Sequence, residues 1–157
     1  MLNEIECTAH LSRIDQRLEL LAFIIYLLLE NFRSKEVSIK LFQIQNNDLC
    51  SVLMANGTCV GTVCCKYEIV GCSKTLYIMS LGVHPLYRCR GLGGKLLDFV
   101  TSKAGDISAS IIKLHVQVNN SVAIEFYTKR GFAITETIPN YYHRCTPADA
   151  YVMHRVL

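Results

Sequence analysis

The spacing of apolar residues changes character along the chain. Leu11, Ile14, Leu18, Leu21, Ile25 and Leu28 recur at helical intervals and predict a helix from Ser12 to Glu30 or Asn31. Ser12 is its cap, with Asp15 in capping-box register. A short strand over Asn3 to Thr8 is predicted before it, and a second helix from Ser34 with Val37, Leu41 and Ile44 inward, ending at Asn46-Asn47. From Asp48 the pattern becomes that of strands: Asp48 to Met54, Thr58 to Val70 and Thr75 to Val83, separated by turns at Asn56-Gly57 and Gly71-Cys72-Ser73. A helix with Leu92, Leu96, Leu97 and Val100 on one face follows and stops near Gly105. Then come a central strand over Ile111 to Val118, a helix over Val122 to Arg130 stopped by Gly131, a strand over Phe132 to Thr137, and a closing strand over Ala150 to Leu157. The order β-α-α-β-β-β-α-β-α-β-β predicts a mixed α/β layered domain, with a central sheet of about seven strands flanked by about four helices.

One stretch in this series carries candidate chemistry. Between the strand ending at Val83 and the helix beginning at Leu92 lies Arg88-Cys89-Arg90-Gly91-Leu92-Gly93-Gly94. Glycines admit close backbone approach to a bulky anion, a helix N-terminus adds partial positive charge, and Arg88 and Arg90 add full charge. A phosphate or pyrophosphate fits such a loop. It is not a nucleoside triphosphate loop, because Lys95 is followed by Leu96 rather than Ser or Thr. Nor is it the dinucleotide fingerprint, because Leu96 stands where the third glycine belongs. What remains is Arg88-x-x-Gly91-x-Gly93.

Composition narrows the picture further. The 157 residues are most simply one domain, and a hydrophobic content of 51% is ample for a core. A formal charge of +3 without long basic runs gives no reason to expect nucleic-acid binding; a small anionic ligand accounts for the loop. The cysteines at 7, 50, 59, 64, 65, 72, 89 and 145 form no CxxC, and Cys64 and Cys65 would face opposite sides of a strand. They are expected to be thiols of a reducing compartment rather than disulfides or metal ligands, and no metal site is expected. Leu20 to Leu29 is continuously apolar but too short to span a bilayer of about 30 Å, and Glu19 and Glu30 close it on both sides, so a buried helix is expected rather than a membrane span.

The loop Arg88-x-x-Gly91-x-Gly93, placed between strand and helix, resembles the pyrophosphate loop of the GCN5-related N-acetyltransferase (GNAT) superfamily, and the predicted order of elements is that of the GNAT fold. Over residues 58 to 157 the chain is similar to one branch, the catalytic subunits of NatE N-terminal acetyltransferase complexes. The likeness is carried by Val60 to Cys65, Leu76 to Gly82, Tyr87-Arg88, Leu114 to Val118, Ala123 to Tyr127, Asn140 to Tyr142, and Pro147 to Ala150. The first 45 residues share the family's layout but little of its wording. The resemblance implies a single N-acetyltransferase domain over residues 1–157. It also implies transfer of an acetyl group from acetyl-CoA to the α-amine of protein N-termini, above all Met followed by a hydrophobic residue.

That reaction must deprotonate the amine, polarise the thioester oxygen and protonate the departing thiolate. By resemblance, Tyr77 and His115 are the general-base pair, acting through ordered water. An imidazole with an ordinary pKa of about 6.5 is the better acceptor at neutral pH, so His115 is taken as base and Tyr77 as its partner. Tyr127 corresponds to a tyrosine near the CoA sulfur that acts as general acid, and Asn120 to a polar contact of the pantetheine arm, in a position that also suits a helix cap. The backbone amides of Leu81 and Val83 are implied to pair with the pantetheine, and Arg88, Arg90, Gly91, Gly93 and Gly94 to hold its phosphates. Tyr141 and Tyr142 are implied to wall the peptide, together with Tyr77 and Phe32.

The family's Phe-Pro-Val loop is replaced here by Glu30-Asn31-Phe32-Arg33-Ser34, which keeps the aromatic ring but lacks the proline and sets Arg33 where a small apolar residue is expected. Two other readings therefore stand beside the first: an acetyltransferase for lysine side chains or small amines, and a weakly catalytic acyl-CoA-binding partner subunit. Family likeness further implies docking onto a large auxiliary subunit at the ribosome, contact with nascent chains, and a cytoplasmic, and also nuclear, location.

Overall fold

The structure is a computed structural model that describes residues 39–44, 47–71 and 73–157. The predicted strand over Asn3 to Thr8, the helix from Ser12 with its apolar stretch, and the first part of the second predicted helix lie outside the described residues. The described elements run β1 (Ile39–Ile44), β2 (Asn47–Ala55), β3 (Thr58–Val70), β4 (Ser73–Val83), a 3-10 turn (Pro85–Tyr87), α1 (Leu92–Asp106), β5 (Ile111–Gln117), α2 (Ser121–Thr128), β6 (Ala133–Ile138) and β7 (Ala150–Val156). The strands form a seven-stranded sheet in the order β1-β2-β3-β4-β5-β7-β6. The expected mixed α/β sheet is therefore present, but one of its strands, β1, lies where the end of the second helix was predicted.

That correction has a local cause. Val37, Leu41 and Ile44 fit a helical stripe, yet Ile39-Lys40-Leu41-Phe42-Gln43-Ile44 is equally rich in strand-forming residues. The neighbouring strand decides between them: β1 pairs antiparallel with β2 from Ile39↔Ala55 through Gln43↔Ser51. A short apolar run becomes a strand where a sheet edge is waiting to satisfy its backbone groups.

By internal contacts the described chain forms two compact units, one containing Tyr67–Ile78 and Ala104–Leu157, the other Met79–Lys103 with the described part of Ser12–Lys66. In the first, β4 and β5 run parallel while β5–β7 and β6–β7 run antiparallel. Its core holds Leu76, Ile112, Leu114, Phe132, Val152 and Met153, with Leu114 and Met153 directly opposite one another across β5 and β7. In the second unit β2 and β3 pair antiparallel, and Leu92, Leu96, Leu97 and Val100 of α1 are all buried, as their spacing predicts. Burial of a leucine of this kind contributes roughly 1.5–3 kcal/mol, so this face holds the helix that follows the glycine loop.

Along β3 Val63 and Cys65 are buried and Cys64 is half-buried, the alternation expected of adjacent strand residues. Cys50, Cys59, Cys64, Cys65 and Cys89 are free thiols. Cys145 is disulfide-bonded, which corrects the expectation of free cysteines throughout. Spacing along a chain does not reveal which sulfurs the fold brings together. Among the described residues no cluster of His, Cys, Asp and Glu could hold a metal ion, and no helix is long and apolar enough to cross a membrane.

Gly61 is closely packed within the second unit. A Cβ there would lie 3.1 Å from the Gly82 carbonyl oxygen, 3.3 Å from Leu53 Cδ1 and 3.5 Å from Leu96 Cδ1. Gly61→Val is expected to lower stability by about 1–3 kcal/mol, with Gly61→Ala at the lower end. Urea unfolding measures this, and a midpoint unchanged in the valine variant would show that the strand is not so closely packed.

Candidate active site

The register of β4 against β5 assembles the site. The parallel ladder pairs Thr75 with Ile111, Leu76 with Ile112 and Tyr77 with Lys113. Along β5, Ile112, Leu114 and Val116 are buried, while Lys113, His115 and Gln117 occupy the other, half-buried face. With Tyr77 opposite Lys113, His115 is the next residue of that face, two positions further on. The consequence is a direct contact: Tyr77 Oη lies 2.8 Å from His115 Nδ1, with the rings tilted at 55°.

Tyr141 closes this pair into a group of three. Its ring stacks on the His115 imidazole at 4.3 Å between centroids and 8° between planes, and its hydroxyl lies 3.2 Å from Tyr77 Oη. Tyr142 is buried and meets Tyr141 edge to face, 4.9 Å away at 84°. Both tyrosines sit on the connection between β6 and β7, which is closed by its own backbone. Tyr142 N–H donates to the Ala148 carbonyl at 2.7 Å and Asn140 N–H to Asp149 Oδ1 at 2.9 Å. Asn140 takes a positive φ of 53°, a conformation that asparagine tolerates better than most residues. Val118 N–H donates to the Asp149 carbonyl at 3.1 Å, and Gln117 Nε2 to the Pro147 carbonyl at 2.6 Å.

Burial pushes the Tyr77 hydroxyl well above the usual tyrosine range; the hydrogen bond that its proton makes to Tyr141 adds to this, followed by the negative charges of Tyr141, Tyr142 and Glu68 in their ionised forms. Tyr142 is raised in the same way, first by burial and then by Tyr141. Tyr77 thus stays neutral at neutral pH, as a hydroxyl that can donate one hydrogen bond and accept others. The group that can take up a proton in this arrangement is the imidazole.

Helix α2 carries two further candidates. Asn120 caps it: its side-chain Oδ1 accepts from Ala123 N–H at 3.0 Å, so the capping role anticipated for this residue is realised. Tyr127 is buried, with its ring edge-on to Phe126 and Phe132 at 5.0 Å and 5.3 Å.

The glycine loop belongs to the second unit and is built there from local contacts. His84 N–H donates to the Val60 carbonyl at 2.9 Å, anchoring the end of β4. The 3-10 turn follows, with Leu86 N–H donating to His84 Nδ1 at 3.3 Å. Arg88 Nε donates to the Val83 carbonyl at 3.1 Å, so this arginine braces the strand exit as well as bringing charge. The Arg90 guanidinium lies over the Tyr87 ring at 5.4 Å. Cys89 and Gly91 take positive φ values of 59° and 75°, turning the chain into α1, where Lys95 N–H donates to the Gly91 carbonyl at 3.1 Å. Residues 88–91 are exposed, and Gly93 and Gly94 fall in the first turn of the helix. The start of a helix, two arginines and glycine-opened backbone suit an anion such as a pyrophosphate.

Tyr77, His115, Tyr141 and Tyr142 are thus brought together as one cluster, while Arg88, Arg90, Gly91, Gly93 and Gly94 form a loop that leads into α1, just beyond Leu81 and Val83 at the end of β4. Phe32 and the stretch from Glu30 to Ser34 lie outside the described residues. Tyr141 is expected on the peptide side, as a wall and a hydroxyl for the substrate; its contact with both Tyr77 and His115 comes from the tertiary structure. Gln117 and Asp149 were not singled out at all. The one available signal was position: Gln117 follows His115 by two on a strand and shares its face.

The raised hydroxyls fix a sign for the response to alkali. Below about pH 10, the ordinary tyrosine value, folded and unfolded chains both keep these protons and the stabilisation is intact. Above it the unfolded chain releases protons that folded Tyr77 and Tyr142 retain, so stability falls as pH rises further. Absorbance titration of tyrosinate is expected to show a fraction of tyrosines ionising only with unfolding, a fraction reduced in Tyr77→Phe. Complete ionisation of the folded protein near pH 10 would refute the burial argument.

With the geometry in place, comparison with known proteins extends it. Residues 17–132 match the Acetyltransferase (GNAT) family. The chain is 43% identical over 111 residues to "N-alpha-acetyltransferase 50" of Danio rerio, covering 70% of this chain and 66% of that protein. It is 39% identical over 115 residues to "Probable N-acetyltransferase san" of Drosophila melanogaster, covering 73% and 62%. The chain thus spans somewhat less than two thirds of the length of these relatives. Among solved structures, Arabidopsis thaliana Naa50 in complex with the bisubstrate analogue CoA-Ac-MVNAL superposes with a TM-score of 0.68 at 30% identity, covering 93% of this chain and 97% of that one. The strand-loop-helix order and the paired strands that hold Tyr77 and His115 therefore have a family to which they correspond, and the chain belongs to the acetyltransferase (GNAT) family.

Proposed function

We propose that this protein is an N-terminal acetyltransferase, moving an acetyl group from acetyl-CoA to the free α-amine of protein N-termini, with Met followed by a hydrophobic residue preferred. The observation that carries the reading is the Tyr77–His115 contact of 2.8 Å under the Tyr141 ring. It occurs in a chain similar to proteins named N-alpha-acetyltransferases, and the Arabidopsis relative was solved with CoA joined through acetyl to a peptide that begins Met-Val. The reading carries with it contact with nascent chains, docking on a large auxiliary subunit at the ribosome, and a cytoplasmic, and also nuclear, location.

Acetyl-CoA, when bound, supplies the acetyl group as an activated thioester. Arg88 and Arg90 suit its phosphates by charge, and the backbone from Gly91 to Gly94 suits them by its N–H groups at the start of α1. The Leu81 and Val83 amides and the Asn120 side chain are assigned to the pantetheine, and the Tyr127 hydroxyl to protonation of the thiolate.

An N-terminal amine, with an ordinary pKa of about 7.7–8.0, is mostly protonated at neutral pH and must lose a proton before it attacks. His115 takes it at Nε2. For that, Nδ1–H must donate to Tyr77 Oη, and the neutral Tyr77 hydroxyl then donates to Tyr141. Tyr77 thereby sets the tautomer, and Tyr141 holds the ring plane. Tyr141 and Tyr142 present aromatic walls to the first side chain of the peptide.

The test offers acetyl-CoA to the purified chain with peptides beginning Met-Val, Met-Leu, Ser and Asp, beside a lysine peptide blocked at its N-terminus. Acetylation of the α-amine of the Met peptides is expected, reduced roughly 100-fold or more in His115→Ala and roughly 10- to 100-fold in Tyr77→Phe. Gly91→Val, forced to a φ of 75° that a branched residue resists, is expected to raise KM for acetyl-CoA. Faster modification of the blocked lysine peptide would sink the α-amine assignment, and binding of acetyl-CoA without acetylation of any peptide would sink the catalytic one.

A further inference from the structure

Lys113, His115 and Gln117 share one face of β5, and the connection between β6 and β7 bonds to that same face at two points. One is the stack of Tyr141 on His115 at 4.3 Å. The other is the hydrogen bond from Gln117 Nε2 to the Pro147 carbonyl at 2.6 Å. Inside the connection, Tyr142 N–H reaches the Ala148 carbonyl, next in sequence to Pro147, and Asn140 N–H reaches Asp149 Oδ1. A force on Pro147 is therefore passed directly to the segment that holds the aromatic pair Tyr141 and Tyr142.

We propose that Gln117 is a positioning residue for the site: by holding the Pro147 carbonyl from the strand that carries His115, it sets where Tyr141 lies over the imidazole and how its hydroxyl meets Tyr77. The geometry favours this for a physical reason. The dispersion contact of a stacked pair is non-directional, so it sets the separation of the rings more firmly than their lateral position. A directed hydrogen bond two residues along the same strand face removes that freedom. Gln117 is half-buried, and its amide donor would lose its carbonyl partner if the connection shifted, so the bond also resists displacement. The spacing His115-x-Gln117 ties the imidazole and its aromatic cover to one rigid element, so thermal motion moves both together.

The kinetic part of this inference rests on the acetyltransferase reading; the spectroscopic part does not. Gln117→Glu keeps size and shape but removes the N–H donor at neutral pH, and Gln117→Ala removes the side chain. NMR of the histidine ring protons reads the stack directly, because a tyrosine face lying on an imidazole shifts those protons upfield, and Tyr141→Leu calibrates the full effect. In both Gln117 variants the His115 ring signals are expected to move toward the position found in Tyr141→Leu. In the same variants kcat should fall about tenfold while KM for acetyl-CoA changes less than about twofold, since loss of one hydrogen bond is worth a factor of this order. His115 signals that stay at the wild-type position in Gln117→Glu would overturn the inference, whatever happens to the rate. If the wild-type chain acetylated no peptide, the functional reading would fall and the ring signals would still decide the role of Gln117.

Discussion

The parallel pairing of β4 with β5 is the constraint on which the candidate site depends. It sets Tyr77 opposite Lys113, and so makes His115 the next residue on the shared face. Strand side chains alternate, so a slip of one residue would send the imidazole to the buried side now held by Leu114 and Val116. The core guards against such a slip. Leu114 stands opposite Met153 and both are fully buried, so a shift would expose apolar surface and bury Lys113 and His115 together. Packing on one face of β5 thereby holds the chemistry on the other.

The second requirement is electrostatic. Burial keeps Tyr77 and Tyr142 neutral, and the neighbouring Tyr141 hydroxyl raises both of them further. A cluster of phenols beside an imidazole thus behaves as a set of hydrogen-bonding dipoles rather than as a set of bases. Under the proposed function, proton uptake falls to His115 and orientation to the hydroxyls. In the other unit the device is simpler: local turns with positive φ at Cys89 and Gly91 lead two exposed arginines and open backbone into a helix whose inner face is anchored by Leu92, Leu96, Leu97 and Val100.

Much of this was legible in the residues. The stripe of α1, the glycine loop before it, the alternating apolar strand with His115, and the asparagine that caps α2 all follow from interactions within a few residues of each other. Resemblance to a family then picked out Tyr77 with His115. The stretch from Ile39 to Ile44 shows where such reading stops: both periods fit it, and only pairing with β2 makes it a strand. The bonded state of Cys145 was equally out of reach, because a disulfide depends on positions that spacing does not encode.

The sequence by itself determined the local devices: periods of two and of 3.6, caps, turns, an anion-friendly loop and the residue types able to move a proton. These are short-range matters of backbone geometry and side-chain chemistry. The tertiary structure alone decided that residues 38 positions apart would meet as Tyr77 and His115, that a tyrosine from the connection beyond β6 would lie flat on that imidazole, and that Gln117 would hold the Pro147 carbonyl. Those contacts depend on strand order and register, which are set by the burial of the whole core and not by any single stretch of it.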